Sequence, residues 1–199
     1  MKKLFTLTLI VFFTNTNCHS QNKYEIPKGY EIVTDSKLKQ IRIDKDFDND
    51  GTKDTFIILN KVGNKNGNII GNFSSRKPKE YFFTYIPLNA PNYYFEVVKN
   101  IINIHCGSND WKLHKILKFR FNSDLNDYEL IGYDENMFPT KEYGHTKSVN
   151  FLTGKYTVKK NSWKKAITKS FESKLISMNN FDEVKLDQLT TIGSEYIVN

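Results

Sequence analysis

The feature that most constrains the fold is a two-residue alternation of apolar and polar side chains in the second half of the chain. Leu117, Phe119 and Phe121 alternate with Lys118 and Arg120, and the polar turn NSDLND then leads into the segment YELIGY. Alternation with this period places the apolar residues on one face of a half-buried strand. Two such segments joined by a short polar turn predict an antiparallel hairpin.

The same kind of pattern continues on both sides of this hairpin. The dipeptide Thr153-Gly154 separates SVNFL from KYTVKK, and a two-residue turn that contains glycine indicates a second hairpin. Further strand candidates lie at residues 81–86, 93–98 and 101–106, which are rich in β-branched and aromatic residues. We therefore expect a mainly β protein, with an antiparallel meander or sandwich-like sheet and long loops.

One segment near the C-terminus fits two kinds of structure. Trp163, Ile167, Phe171 and Leu175 recur every four residues, which would form one apolar stripe along a helix. The same stretch is rich in Ser and Thr, so an edge strand is the competing interpretation. The spacing favours one short C-terminal helix within residues 163–178.

The first 20 residues have the order of an export signal. Two lysines precede an apolar run at residues 4–14, which is too short to span a bilayer. Cys18 and Ser20 are small residues at the −3 and −1 places for cleavage before Gln21. The alternative is a lipoprotein acylated at Cys18, although asparagines stand where the usual lipobox has an aliphatic and a small residue. We expect an exported protein, periplasmic or extracellular, that contacts the membrane only through such an anchor.

Removal of residues 1–20 leaves residues 21–199, which suffice for a single β-rich domain with its own core. The full chain has 29 Lys plus Arg and 22 Asp plus Glu, and two of the lysines leave with the leader. The remaining positive excess is mild. Lysines such as Lys159, Lys160, Lys164 and Lys165 could meet an anionic surface, and a solvated face is the commoner explanation. We expect no nucleic-acid partner, because no recognition motif organises the aromatic residues.

The segment DFDNDGTKD at residues 46–54 crowds four carboxylates around one glycine. Calcium takes six to eight oxygen ligands, and carboxylates supply them at neutral pH. In this spacing Asp46, Asp48, Asp50 and Asp54 can point at one centre, Gly51 permits the sharp turn, and the carbonyl of Thr52 can join them. The loop lies between strand candidates at residues 41–44 and 55–59, so we expect a calcium-loop hairpin at residues 40–60.

This loop is not an EF-hand, because Ile57 stands where an EF-hand has its bidentate glutamate. It resembles the D-x-D-x-D-G-x-x-D calcium loops of FG-GAP and VCBS-type repeats, which occur in integrin-like β-propellers and in many exported bacterial proteins. The resemblance covers about residues 40–60 and implies structural calcium with the same five ligand residues. The latter half, with LIGYD and NFLTGK, is similar to single-domain exported proteins of Gram-negative bacteria.

Other polar patterns are weaker indications of a site. His105, Asp110 and His114 could form a zinc site, but ordinary hydrogen-bonded histidines are commoner. Glu129 and Asp134 could be a glycosidase pair, although carboxylates beside a strand are commonplace. Cys106 lies in an apolar stretch, which favours a buried thiol over a nucleophile.

These observations favour a binding or structural module without an identifiable catalytic site. Its partner would be an unknown component of the cell envelope, or an extracellular glycan or protein. The first alternative is a hydrolase acting on an envelope or extracellular polymer. The second is an inhibitor or immunity-like partner protein, which would carry an exposed apolar patch.

Overall fold

The structure, a computed structural model, describes residues 26–73, 82–85, 92–108, 112–138 and 144–197. It is mainly β, with one seven-stranded sheet, one smaller sheet and a single short α-helix among these residues. The expected leader, including Cys18, lies outside the described residues. Within them, no helix has both the length and the apolar character needed to cross a membrane.

The smaller sheet contains the first five strands of the described chain. They are β1 (Tyr30–Ile32), β2 (Arg42–Lys45), β3 (Asp54–Lys61), β4 (Asn64–Phe73) and β5 (Phe82–Tyr85). The order across the sheet is β1, β3, β4 and β5. Strand β2 also pairs with β3, on the same side as β1 but nearer the start of β3. Every pairing is antiparallel. Strand β3 is therefore the centre of this sheet.

The larger sheet is a meander in which each strand pairs with the next one along the chain. Its strands are β6 (Asn92–Val98), β7 (Ile101–Gly107), β8 (Leu113–Asn122), β9 (Asp127–Met137), β10 (His145–Asn150), β11 (Lys155–Lys160) and β12 (Ile167–Ser170). Sequential antiparallel pairing needs only short connections, which the turn signals in the sequence supply. The mainly antiparallel fold predicted from alternation is confirmed.

The core lies between the two sheets. On the larger sheet, alternate residues such as Ile102, Ile104 and Phe119 are completely buried, while their neighbours face outward. Phe56 and Ile58 of β3 project into the same apolar cluster from the smaller sheet. Successive side chains of a strand point to opposite faces of the sheet. The alternating sequence therefore places the apolar residues of each sheet on the face that meets the other sheet. The two sheets therefore share one continuous core.

Both predicted hairpins form, and one of their turns differs from the prediction. Asn122 pairs with Asp127 across the β8–β9 turn, where NSDLND was expected to reverse the chain. In the β10–β11 hairpin the last pair is Asn150 with Lys155, so the loop has four residues, 151–154, and not two. Gly154 has φ +60°, a conformation that glycine adopts without strain. The turn glycine was identified correctly, but strand β10 ends earlier than expected.

The helix predicted within residues 163–178 is wrong, because this segment contains strand β12. Ile167 pairs with Val158 and Lys169 with Tyr156, which adds β12 to the edge of the larger sheet. A spacing of four residues places side chains on one face of a strand as well as on one stripe of a helix, so the pattern could not separate the two. The short C-terminal helix exists further along, as α1 (Glu183–Thr191).

Candidate metal centre

The acidic loop joins β2 to β3, as the sequence predicted. Lys45 at the end of β2 pairs with Asp54 at the start of β3, which leaves residues 46–53 as the connection. Within it Asn49 has φ +59° and Gly51 has φ +87°. Left-handed backbone is favourable for glycine and tolerated by asparagine. These two residues let the chain turn tightly enough for its alternate carboxylates to converge.

Three of the aspartates form one group. Asp46, Asp48 and Asp50 each place a carboxylate oxygen within 4.8 Å of the others, and the residues run from half-buried through buried to exposed. Ligands on opposite sides of an ion are separated by twice the metal–oxygen distance, which is about 4.6 to 5.2 Å for calcium. The spacing of these oxygens therefore fits an ion at their centre. The loop can hold a metal ion.

Backbone hydrogen bonds fix the directions of these carboxylates. The N–H of Asp50 donates to Oδ1 of Asp46 and to Oδ1 of Asp48, both at 3.1 Å. Gly51 donates to Oδ2 of Asp46 at 2.9 Å, and Thr52 donates to Oδ1 of Asp50 at 2.8 Å. A carboxylate oxygen has two lone pairs, so one N–H bond leaves capacity for a cation. The loop is thus organised by its own backbone.

Asp54 occupies a different position from the three clustered aspartates. Its side chain is buried, and Oδ2 accepts hydrogen bonds from the N–H of Phe47 at 3.1 Å and from the hydroxyl of Tyr128 at 3.0 Å. Burial, and then the negative charge of Asp54, raise the pKa of the Tyr128 hydroxyl, which therefore stays a donor. Asp54 fastens the end of the loop to β9, a strand of the other sheet.

An aromatic group supports the same connection. The ring of Phe47 meets Phe56 edge-to-face at a centroid distance of 5.5 Å and meets Tyr128 at 6.2 Å. Phe56 and Tyr128 are themselves 4.9 Å apart in the same geometry. Edge-to-face pairs of this kind add to the stabilisation from burial. The acidic loop is therefore built around a buried phenylalanine that belongs to the core of both sheets.

A lysine beside the loop makes its contacts elsewhere. The ammonium of Lys45 donates to the carbonyl oxygen of Lys99 and, at 3.0 Å, to Oδ1 of Asn100, in the turn between β6 and β7. It bridges the two sheets and, in the described part of the chain, forms no ion pair with the three clustered aspartates. Their mutual repulsion is consequently not balanced by this neighbour, which increases the benefit of a bound cation.

The two histidines considered for zinc lie together on the outward face of the larger sheet. Nδ1 of His105 is 3.0 Å from Nε2 of His114, and Nε2 of His105 is 3.2 Å from Oε2 of Glu96. The planes of the two rings are inclined by 24°, with centroids 5.1 Å apart. This arrangement is a hydrogen-bonded chain, and no third metal ligand joins the two histidines among the described residues. Asp110 lies outside the described residues.

The two carboxylates considered for glycoside cleavage are each bound by other groups. Glu129 pairs with Arg120 and accepts a hydrogen bond from Asn122 at 2.8 Å. Asp134 pairs with Lys118 at 2.5 Å and accepts from Ser148 at 2.7 Å. Both carboxylates therefore have structural roles on the sheet.

Cys106 is buried as expected. Burial raises the pKa of its thiol to about 12, so the reactive thiolate is scarce at neutral pH.

A buried ionic network beneath α1 was not foreseen from the sequence. Oε1 of Glu135 lies 2.9 Å from Nε2 of His145 and 3.6 Å from Nζ of Lys147, and Oε2 accepts the hydroxyl of Tyr133 at 2.5 Å. Burial opposes ionisation, but these donors outweigh it and lower the pKa of Glu135 to about 2. Lys147 also donates to the carbonyl oxygen of Thr190 at 2.8 Å. The network joins α1 to the sheet.

The comparisons with known proteins identify no relative. Family models, curated proteins and solved structures all yield no match for this chain. The resemblance of residues 46–54 to FG-GAP and VCBS loops therefore rests on the motif and on the clustered oxygens alone.

Proposed function

We propose that this protein is an exported β-domain of binding or structural type, stabilised by one calcium ion in the loop at residues 46–54. The observation that carries the proposal is the convergence of Asp46, Asp48 and Asp50 on a loop fastened to both sheets through Phe47 and Asp54. An ion at this position cancels repulsion among the carboxylates and holds the sheets together. Its binding energy then adds directly to folding stability.

Calcium is the ion that suits this site best. All of the donors are oxygen atoms, which hard cations prefer, and the exposed side of the loop leaves room for water ligands. Completion of the nine-residue pattern assigns the carbonyl of Thr52 and the side chain of Asp54 as further ligands. We expect an affinity in the weak range of extracellular modules, about 10⁻⁴ to 10⁻³ M.

A thermal unfolding experiment tests the calcium site. Saturation with about 10 mM calcium should stabilise the protein by about 1.4 to 2.7 kcal/mol at this affinity. For a domain of this size the corresponding rise in Tm is about 3 to 10 °C. Asp48→Ala combined with Asp50→Ala should abolish the rise. A matched control, Asp124→Ala with Asp187→Ala, removes two exposed carboxylates from other parts of the surface and should keep the rise.

A second double variant shows whether loss of the calcium response comes from loss of the ligands or from misfolding. Asp48→Asn with Asp50→Asn keeps the side-chain oxygens that accept loop hydrogen bonds but removes the charge that attracts calcium. This double variant should fold in the presence of a chelator, and calcium should raise its Tm only weakly. A wild-type Tm that is the same in calcium and in chelator would refute the proposed metal site.

A second candidate function, an inhibitor or immunity-like partner protein, has one observation in its favour. A cavity of about 460 Å³ opens between the β8–β9 turn, residues 175–180 and α1. The leucines Leu125 and Leu175 line it and are exposed to solvent. Exposed apolar residues around a concavity favour a protein contact.

Affinity purification tests this candidate with envelope proteins as prey. A partner retained by the wild type and lost with Leu125→Ser and Leu175→Ser would locate a protein contact at this cavity, as this candidate requires. The first alternative, a polymer hydrolase, would require two carboxylates facing one cleft. The only carboxylate that lines this cavity among the described residues is that of Asp127.

A further inference from the structure

The positive charge of this protein is concentrated in one hairpin. Residues 155–174, which contain β11 and β12, hold seven lysines and one glutamate. The whole chain has 29 Lys plus Arg and 22 Asp plus Glu, so the remaining residues hold 22 basic and 21 acidic side chains. The excess charge of the chain therefore lies almost entirely at the last edge of the larger sheet. We call this set the lysine edge: Lys155, Lys159, Lys160, Lys164, Lys165, Lys169 and Lys174.

Most of these lysines have no carboxylate partner among the residues that the structure describes. Six of them are exposed, and none of those six forms an ion pair in the part of the chain that the structure describes. Lys160 lies over the ring of Trp163 at 5.6 Å. By contrast, Lys118, Arg120 and Lys147, on neighbouring strands of the same sheet, each pair with a carboxylate. The lysine edge thus differs from the neighbouring strands in its lack of ion pairs as well as in its composition.

The register of the sheet places two of these charges together on its outward face. Lys155 and Lys159 lie on the same face of β11, about 13 Å apart along the strand. Lys164 and Lys165 lie in the connection to β12, beyond one end of that strand. The neighbouring positions on this face of β10 and β12 are neutral, with Thr146 and Thr168 among them. Such an area is too wide for one small anion and suits an extended anionic surface.

Protection of the sheet edge does not account for this many lysines. Lysine on an edge strand prevents pairing with another chain, which is a common use of charge. Strand β12 is the edge, and it carries only Lys169. Lys155 of β11 has a strand on each side, since it pairs with Asn150 of β10 and with Ser170 of β12. The charge at Lys155 therefore guards no open edge, and Lys164, Lys165 and Lys174 lie outside the edge strand, so these lysines need another explanation.

We propose that the lysine edge docks the protein onto a membrane surface rich in anionic lipid headgroups. The hairpin contains no arginine, the residue that suits bidentate recognition of a discrete phosphate or carboxylate group. Lysine ammonium groups act as point charges, which is all that attraction to a surface potential requires. Leu152, exposed at one end of the hairpin, and Trp163 at the other can contact the interface. The inference relies on the proposed export and binding role but not on calcium.

Vesicle flotation with the mature chain, residues 21–199 without an acyl group, tests this proposal. The protein should bind phosphatidylcholine vesicles that contain phosphatidylglycerol and should not bind phosphatidylcholine alone. Binding should disappear at about 1 M salt, where the screening length is about 3 Å. Lys159→Gln, Lys164→Gln and Lys165→Gln together should lower the partition coefficient about a hundredfold.

A second triple variant separates the lysine edge from net charge. Lys28→Gln, Lys39→Gln and Lys61→Gln remove the same charge from exposed positions on the smaller sheet and its lead-in. This control should bind vesicles nearly as well as the wild type. Equal losses in both triple variants, or binding to a soluble polyanion such as dextran sulfate without binding to vesicles, would overturn the proposal. The calcium-dependent Tm of the same samples reports separately on the metal site.

Discussion

Replacement of Lys147 by methionine tests the role of the buried ionic network. Lys147 is only 2 % exposed, and its ammonium lies 3.6 Å from Oε1 of Glu135 and 2.8 Å from the carbonyl oxygen of Thr190. Burial lowers the pKa of Lys147, and the Glu135 carboxylate opposes that effect. Methionine fills a similar volume without the charge. The substitution therefore isolates the electrostatic contribution from packing.

The structure allows the magnitude to be worked out. Removal of one member of a buried ion pair costs about 3 to 5 kcal/mol, because the remaining charge stays buried. Glu135 keeps the hydroxyl of Tyr133 and the ring of His145 as donors, so we expect the lower value, about 3 kcal/mol. This corresponds to a fall in Tm of about 6 to 12 °C. The exposed residue Lys169 provides the control, since Lys169→Met should change stability by about 0.5 kcal/mol or less.

Urea denaturation followed by tryptophan fluorescence measures these free energies of unfolding. Glu135→Gln should also destabilise, since it leaves Lys147 buried opposite a neutral amide. The double variant with Lys147→Met should cost at least about 1 kcal/mol less than the sum of the single changes, because the two groups are coupled. The reasoning is refuted if Lys147→Met falls within 1 kcal/mol of wild type, or if the two effects simply add.

Two further predictions concern the same buried groups. Glu135 has a pKa lowered from 4.5 to about 2, so its ionised form favours the folded state above about pH 4.5, and this stability is lost as the pH falls towards 2. Acid titration of unfolding free energy should show that decline, and the decline should be shallower in Glu135→Gln. Tyr128→Phe keeps the ring but removes the donor to Asp54, so it should cost about 1.5 to 3 kcal/mol in urea denaturation. A loss below 0.5 kcal/mol would mean that this hydrogen bond does not fasten the loop to the second sheet.

Local patterns were sufficient for much of the fold and for part of the site. The alternation around Phe119 predicted β8 and β9, since a strand needs only its own residues to present an apolar face. The loop between β2 and β3 could also be predicted from the sequence. Its three clustered aspartates, Asp46, Asp48 and Asp50, converge through turns at Asn49 and Gly51 within the loop itself. In both cases the interacting residues are close in sequence.

Contacts between distant residues could not be predicted in this way. The segment around Ile167 has a four-residue spacing that suits a helix and a strand alike, and hydrogen bonds with β11 decided the matter. Asp54 was expected to face an ion, and the structure shows that its Oδ2 is bonded to Tyr128, 74 residues further along. No pattern of spacing contains that information.

The sequence by itself determined the antiparallel sheet, the acidic hairpin loop and the excess of lysine near the C-terminus. These properties follow from composition and from periods of two residues, which act along a single segment of chain. Only the tertiary structure decided that Lys147 and Glu135 meet in the core beneath α1, and that the lysine-rich hairpin forms the last two strands of the larger sheet. The physical reason is that burial and charge pairing depend on which strands become neighbours, and that choice is made by the packing of the whole sheet.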